Sequence, residues 1–319
     1  MPMQSFHDSL YLYIVNAMRH LLLLALLGWA TVVLAGETYA VIISGGRSKM
    51  YNHERYWNDC AFVYRTLRQD YQLPKDRITL LMGDGDNPAN DMLLDGATGF
   101  ASSPVDLDDD GQPDLTLAAT RRNLDDTFRG LAVRLTASDR LFLFITNHGE
   151  RDSEGHVHLW LWGSEQLTPQ ELASMVGLCR PATMCILLGQ CYAGAFAAPL
   201  QGEGRIVIAA CGVQQMSWSC KDRPYDEFVY HWTCAIARHD EQGRPIDADT
   251  DGDGCVSMQE AFDYACRHDR RPETPSLTAL PASLAGSWSL GRVETETGIS
   301  LPSIPTNQPV YDLQGRRYD

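Results

Sequence analysis

The sequence predicts an α/β fold in which helices cover both faces of a mostly parallel central sheet, and three observations carry that prediction. Five short runs are apolar without alternation: Tyr39 to Ile43, Ile78 to Met82, Leu141 to Thr146, Met184 to Leu188 and Ile206 to Ala210. Continuous apolarity marks strands buried on both faces, as in a parallel sheet. Helical periodicity lies between them, and strands alternating with helices imply a doubly covered sheet.

Taken in order, the first strand opens a domain spanning 36–290. Trp57, Ala61, Tyr64, Leu67 and Tyr71 follow at steps of three or four, the stripe of an amphipathic helix. The second strand leads into an acidic insertion, 106–114, and then a second helical stripe, Leu124, Phe128, Leu131 and Leu135. Further helices are expected over 168–177, 225–239 and 258–267. Residues 291–319 turn rich in Ser, Thr, Pro and Gly without periodicity and read as a flexible C-terminal tail.

Of the 319 residues, 44% are hydrophobic and 21% charged, the composition of a globular chain and not a disordered one. Lys and Arg number 26 against 41 Asp and Glu, so the net charge of −15 argues against a nucleic-acid partner. Ten of the 41 acids sit in two short runs, 106–114 and 247–260, which points to local cation sites. Nine cysteines is an odd count, so at least one thiol is free or shared with another chain. Residues 21–35, LLLLALLGWATVVLA, follow Arg19 and His20 and end with the small residues Val33 and Ala35. That is the pattern of a signal peptide, 1–35, cleaved after Ala35. The run falls short of the roughly 20 residues that cross a bilayer. The mature protein is therefore expected to be secreted or periplasmic, with no stable membrane insertion.

The third and fourth apolar runs end in chemistry. Leu141 to Thr146 is followed by Asn147, His148 and Gly149, and Met184 to Leu188 by Gly189, Gln190, Cys191, Tyr192, Ala193 and Gly194. Reactive groups in such sheets sit beyond the carboxyl ends of strands. A thiol near its free pKa is mostly protonated at neutral pH, and a neighbouring imidazole can take the proton. Gly149 and Gly194 permit tight turns where a substrate backbone must come close, and the amides of Gly149 and Cys191 can face a developing oxyanion.

These blocks resemble a clan CD cysteine peptidase, specifically the legumain-like (C13) branch. The likeness rests on Ile145-Thr146-Asn147-His148-Gly149, on Gly189-Gln190-Cys191-Tyr192-Ala193-Gly194, and on Tyr51-Asn52-His53-Glu54-Arg55-Tyr56-Trp57-Asn58-Asp59 after the first strand, a stretch similar to exported bacterial members. The resemblance implies a caspase-like three-layer sandwich, with Cys191 as nucleophile, His148 as general base and acid, and Gly149 with Cys191 as the oxyanion hole. Two departures stand out. The asparagine that supports the histidine in legumains has no clear counterpart, Asn52 being only a nearby candidate. The acidic residue two positions before the nucleophile is Gly189 here, so cleavage after Asn or Asp is not supported. The segment Cys211 to Trp218 matches in position the loop lining the S1 pocket in this clan, which makes Gln215, Ser217 and Trp218 candidate substrate contacts.

Asp249, Asp251, Asp253, Gly254, Cys255, Ser257 and Glu260 occupy positions 1, 3, 5, 6, 7, 9 and 12 of an EF-hand loop. Ca²⁺ needs hard oxygen ligands; position 7 supplies only its carbonyl, so Cys255 is tolerated there. The run Asp106, Asp108, Asp110, Gly111 and Asp114 repeats the core of the pattern, but position 12 is Leu117. Calcium at both loops is expected to be structural, tying the insertion and the following helix to the core. Among the other cysteines, Cys211 with Cys220, or Cys255 with Cys266, could close short loops, although connectivity is not legible from sequence. The leading expectation is an exported cysteine endopeptidase acting on peptides or proteins through a thioester. A transpeptidase or ligase of the same clan, and a catalytically silent calcium-binding interaction module, are the alternatives. Oligomeric state is not legible.

Overall fold

The computed structural model describes residues 36–96 and 99–291, together with the backbone of the short strands 310–311 and 317–318. The expected signal peptide and most of the expected tail lie outside the described residues. Among the described residues, no helix is long and apolar enough to cross a membrane.

Six strands form the central sheet: β1 (Thr38–Ser44), β2 (Ile78–Met82), β5 (Arg140–Thr146), β9 (Thr183–Leu188), β10 (Arg205–Ala209) and β11 (Ser276–Leu280). Their spatial order is β11-β10-β9-β5-β1-β2, parallel throughout except for β11, which pairs antiparallel with β10. Successive side chains on a strand point to opposite faces, and the core splits accordingly. Ile42, Phe142, Phe144, Leu187 and Ile208 pack on one face against α1 (Glu54–Arg65), α5 (Glu227–Ala237) and α6 (Met258–His268). Val41, Ile43, Leu143, Ile186 and Val207 pack on the other against α2 (Arg121–Arg134), α3 (Pro169–Val176) and α4 (Ala193–Leu200). This is the three-layer sandwich with a mostly parallel sheet that the sequence predicts.

Small elements decorate it. A two-residue pair, β3 (Met92–Leu93) and β4 (Phe100–Ala101), and a three-stranded meander, β6 (Gly149–Arg151), β7 (Val157–Trp160) and β8 (Gln166–Leu167), leave the carboxyl ends of β2 and β5. Leu284–Ser287 forms a last short helix, α7. Helix starts carry their own signals. Thr168 caps α3 through a reciprocal pair with Glu171, and Ser257 caps α6 in the same way with Glu260. Helix α1 runs on through a π-helical turn, Thr66–Asp70, which carries the predicted stripe through Leu67.

All nine cysteines are free thiols, six of them buried, so neither Cys211–Cys220 nor Cys255–Cys266 is bridged. The Cys211 thiol instead donates to the main-chain oxygens of Gln190 and Gln215.

Candidate active site

Strands β5 and β9 are neighbours in register, Ile145 beside Leu188. Their carboxyl ends therefore deliver His148 and Cys191 to one edge of the sheet. Each has a neighbour in the left-handed region: Asn147, just before His148, at φ 99° and Tyr192, just after Cys191, at φ 59°. That conformation is uncommon outside glycine and collects at functional sites. Asn147 is held in it by its own side chain. Its Oδ1 accepts from the His148 amide at 2.8 Å, and its Nδ2 donates to Ser44 Oγ at 2.9 Å. Tyr192 turns the chain into α4, and its amide donates to Gln215 O at 2.8 Å.

Gly149 follows the histidine at a position with no room for a side chain, because an added Cβ would overlap the main-chain carbonyl oxygen of Cys191. The two segments thus touch backbone to backbone. The His148 carbonyl accepts from the Trp160 amide, which makes Gly149 and Leu159 a pair that exchanges no hydrogen bond, and the Gly149 N–H turns out of the ladder.

The imidazole donates from Nε2 to the Tyr51 carbonyl at 2.9 Å, which leaves Nδ1 as the basic nitrogen. The Tyr56 hydroxyl lies 3.5 Å from either ring nitrogen and accepts from Arg55 at 2.8 Å. Burial, with the neighbouring Arg55 guanidinium, holds His148 down to about 4. The Cys191 thiol donates to the Ser217 carbonyl at 3.6 Å, and burial pushes it up to about 11. Both shifts favour uncharged forms, so the pair rests as thiol and neutral imidazole, with no hydrogen bond between them.

Beneath the pair lies a charge network that the sequence does not announce. Arg55 Nε donates to Asp226 Oδ1 at 3.0 Å, and the Asp226 amide donates to Asp59 Oδ1 at 3.2 Å. Asp226 is 5% exposed and Asp59 1%. Burial pushes both carboxyls up; the charge of Asp226 raises Asp59 further, whereas the Arg55 guanidinium and the contact with Asp59 work against the rise at Asp226. Arg55 and Asp226 both act electrostatically on the Cys191 thiol. The signal for Arg55 and Asp59 is present in the Arg55-Tyr56-Trp57-Asn58-Asp59 block, whereas nothing near Asp226 in the chain marks it.

Of the three candidate substrate contacts, Ser217 meets the thiol through its carbonyl, and its hydroxyl is buried without a partner. Gln215 spends its Oε1 on the amides of Gly212 and Thr274, and Trp218 donates its amide to Glu273 at 3.0 Å. Both therefore brace the loop against 273–274. Gln190, 1% exposed and directly before Cys191, has both side-chain amide atoms unpartnered among the described residues. Asn52 makes no hydrogen bond to the imidazole: its Nδ2 donates to Asp91 and its Oδ1 accepts from Asn147 Nδ2 at 3.5 Å. The main-chain oxygen of Tyr51 takes the supporting role instead. At Gly189 an added Cβ would stand 2.7 Å from Val229 Cγ2, so the place of an acidic side chain is filled.

The two acidic loops differ. Asp249, Asp251 and Asp253 bring one oxygen each within 4.8 Å of one another, on a loop turned by Gly252 and Gly254 at positive φ. Glu260 accepts from Ser257 with one carboxylate oxygen and from Thr250 and Asp251 with the other. The Cys255 amide donates to Asp253 at 2.7 Å, leaving its carbonyl as the position-7 group. In the insertion, Asp106, Asp108 and Asp114 converge while Asp110 stays outside the trio. Lys75 Nζ lies 2.6 Å from Asp114, and Tyr64 donates to the same oxygen at 2.7 Å.

Fold and site together describe a three-layer α/β protein that carries a thiol and an imidazole at the carboxyl ends of neighbouring strands. The model of the peptidase C13 family matches residues 38–250, well over half of the chain, and the chain belongs to that family of cysteine peptidases. The matched region holds His148, Cys191 and the 211–226 loop; most of the 249–260 loop and Glu273 lie beyond it. No curated protein matches the chain.

Proposed function

We propose that the protein is a cysteine endopeptidase that cleaves peptide bonds through Cys191 and His148. The observation that supports this reading is the backbone contact of Gly149 with Cys191, which joins the segments carrying the imidazole and the thiol at the carboxyl ends of β5 and β9. As substrate enters, Nδ1 takes the thiol proton and the sulfur attacks the scissile carbonyl. The amides of Gly149 and Cys191 stabilise the oxyanion. The C–N bond then breaks, the imidazolium gives its proton to the leaving amine, and a thioester remains. Water, activated by His148, hydrolyses it. A neutral resting pair suits this order, because the thiolate forms only where an acyl acceptor is already in place.

Calcium, in this reading, would be held by Asp249, Asp251 and Asp253 with the Cys255 carbonyl, Ser257 and Glu260, and would tie the loop to α6. A second ion would be held by Asp106, Asp108, Asp110 and Asp114, in competition with Lys75. Export through the N-terminal segment would place the enzyme in the secreted or periplasmic space, where calcium is abundant.

The test is a mixed peptide library incubated with the protein and with Cys191→Ala, read by mass spectrometry. Cleavage sites that vanish in the variant support the peptidase. Ligated products in place of cleaved ones assign the transpeptidase reading, and an inert protein that still binds peptides assigns the interaction module.

A further inference from the structure

The segment 219–224 separates two cavities that share Cys220, Lys221 and Arg223. The nearer, of about 360 Å³, has Arg55 on its wall. The farther, of about 440 Å³, is lined chiefly by Lys221, Arg223, His231, His268, Arg270 and Arg271. In a chain of net charge −15 this concentration of cations is a local inversion. Its acids are already engaged: Asp222 pairs with Arg223 at 2.9 Å, and Glu227 accepts from the Arg270 amide at 3.3 Å. Among the described residues, Lys221, Arg270 and Arg271 have no carboxylate at ion-pair distance, and Arg271 Nε is buried without an acceptor. An unpaired buried donor is unfavourable unless a ligand satisfies it.

The cavity is tied to the thiol by chain and by contact. Ser217, whose carbonyl accepts from Cys191 Sγ, stands three residues before Cys220 on the cavity wall, at most about 10 Å of extended chain. Arg271 lies 5.0 Å over the Trp218 ring, and Glu273 holds the Trp218 amide. A peptide lying along 217–220 with its scissile carbonyl at Cys191 brings a side chain about three residues away to the mouth. We propose that this cavity is a subsite for an acidic side chain of the substrate, about three residues from the scissile bond; it rests on the peptidase reading. Arg270 and Lys221 supply charge, and Arg271 Nε supplies the oriented donor.

The experiment scans one Glu, against Gln, through the positions flanking a cleaved bond. Binding of each peptide to full-chain Cys191→Ala is measured by fluorescence anisotropy, and kcat/KM with the unaltered protein. The expected result is about a tenfold preference for Glu at one position. It should weaken with added salt and be lost in Lys221→Gln/Arg270→Gln. Selective binding without turnover of any peptide leaves the subsite standing and removes the peptidase. Equal binding of Glu and Gln peptides at every position, or a preference that survives the double variant, overturns the subsite whether or not cleavage occurs.

Discussion

The Cα of Gly149 rests against the main-chain carbonyl of Cys191, with no space for a Cβ between them. This contact fixes the distance between the segment that carries the imidazole and the one that carries the thiol. Gly149→Ala should lower kcat/KM by about 10²- to 10³-fold, the loss that follows removal of an oxyanion donor. It should cost about 1–3 kcal/mol in urea denaturation from overpacking. Gly130→Ala, at an open position within α2, should leave kcat/KM unchanged and raise stability by about 0.5–1 kcal/mol.

The pH profile follows from the two perturbed groups. The imidazole titrates near 4 and the thiol near 11, so kcat/KM should fall on the acid side around 4 and stay level through neutrality. Arg55 helps to hold the imidazole down, so Arg55→Gln should move the acid limb to higher pH. Stability follows the same group. The unfolded chain takes up the proton at about 6.5 and the folded chain only near 4, so this contribution is complete above about 6.5 and is lost as pH falls towards 4. An acid limb near 6.5 in the unaltered protein would contradict the assignment.

Arg55→Met should be strongly destabilising, about 3–5 kcal/mol, because it leaves Asp226 and Asp59 buried together without their guanidinium. Combining it with Asp226→Asn should recover much of the loss. A double-mutant cycle in urea measures that coupling, and additive losses would show that the buried pair is held by something other than Arg55.

Calcium should raise the melting temperature, by an amount equivalent to about 2.7 kcal/mol at a hundredfold excess over Kd. Asp251→Asn/Asp253→Asn should abolish most of the difference between calcium and chelator, and Lys75→Met should strengthen binding at the insertion by freeing Asp114. Identical melting curves with calcium and with chelator for the unaltered protein would remove both sites.

Much of this was legible because burial on both faces leaves an unmistakable run. Ile78 to Met82 is predicted and observed with the same ends, and the other four runs differ by one or two residues. Strand β11 escapes because it is an antiparallel edge strand with an alternating burial pattern. Helix α4 escapes because Ala193 to Leu200 is apolar all round and contains Pro199, so it shows no stripe. The placement of His148 and Cys191 at one edge of the sheet was legible from their positions after strand ends. Their supports were not: the group that orients His148 is a main-chain carbonyl, which has no side-chain signature, and Arg55 meets Asp226 across 171 residues of sequence. Gln215 and Trp218 could be placed on the right loop, but their hydrogen bonds to 273–274 depend on a segment outside it.

The most direct test of the central claim is rapid quenching of the full chain with a peptide it cleaves, followed by intact-mass measurement and mapping of the adduct. The account predicts a transient species heavier by the amino-terminal half of the peptide, attached at Cys191, absent in Cys191→Ala and longer-lived in His148→Ala if any forms. Turnover of the same peptide with no adduct at Cys191, or with activity intact in Cys191→Ala, would contradict it.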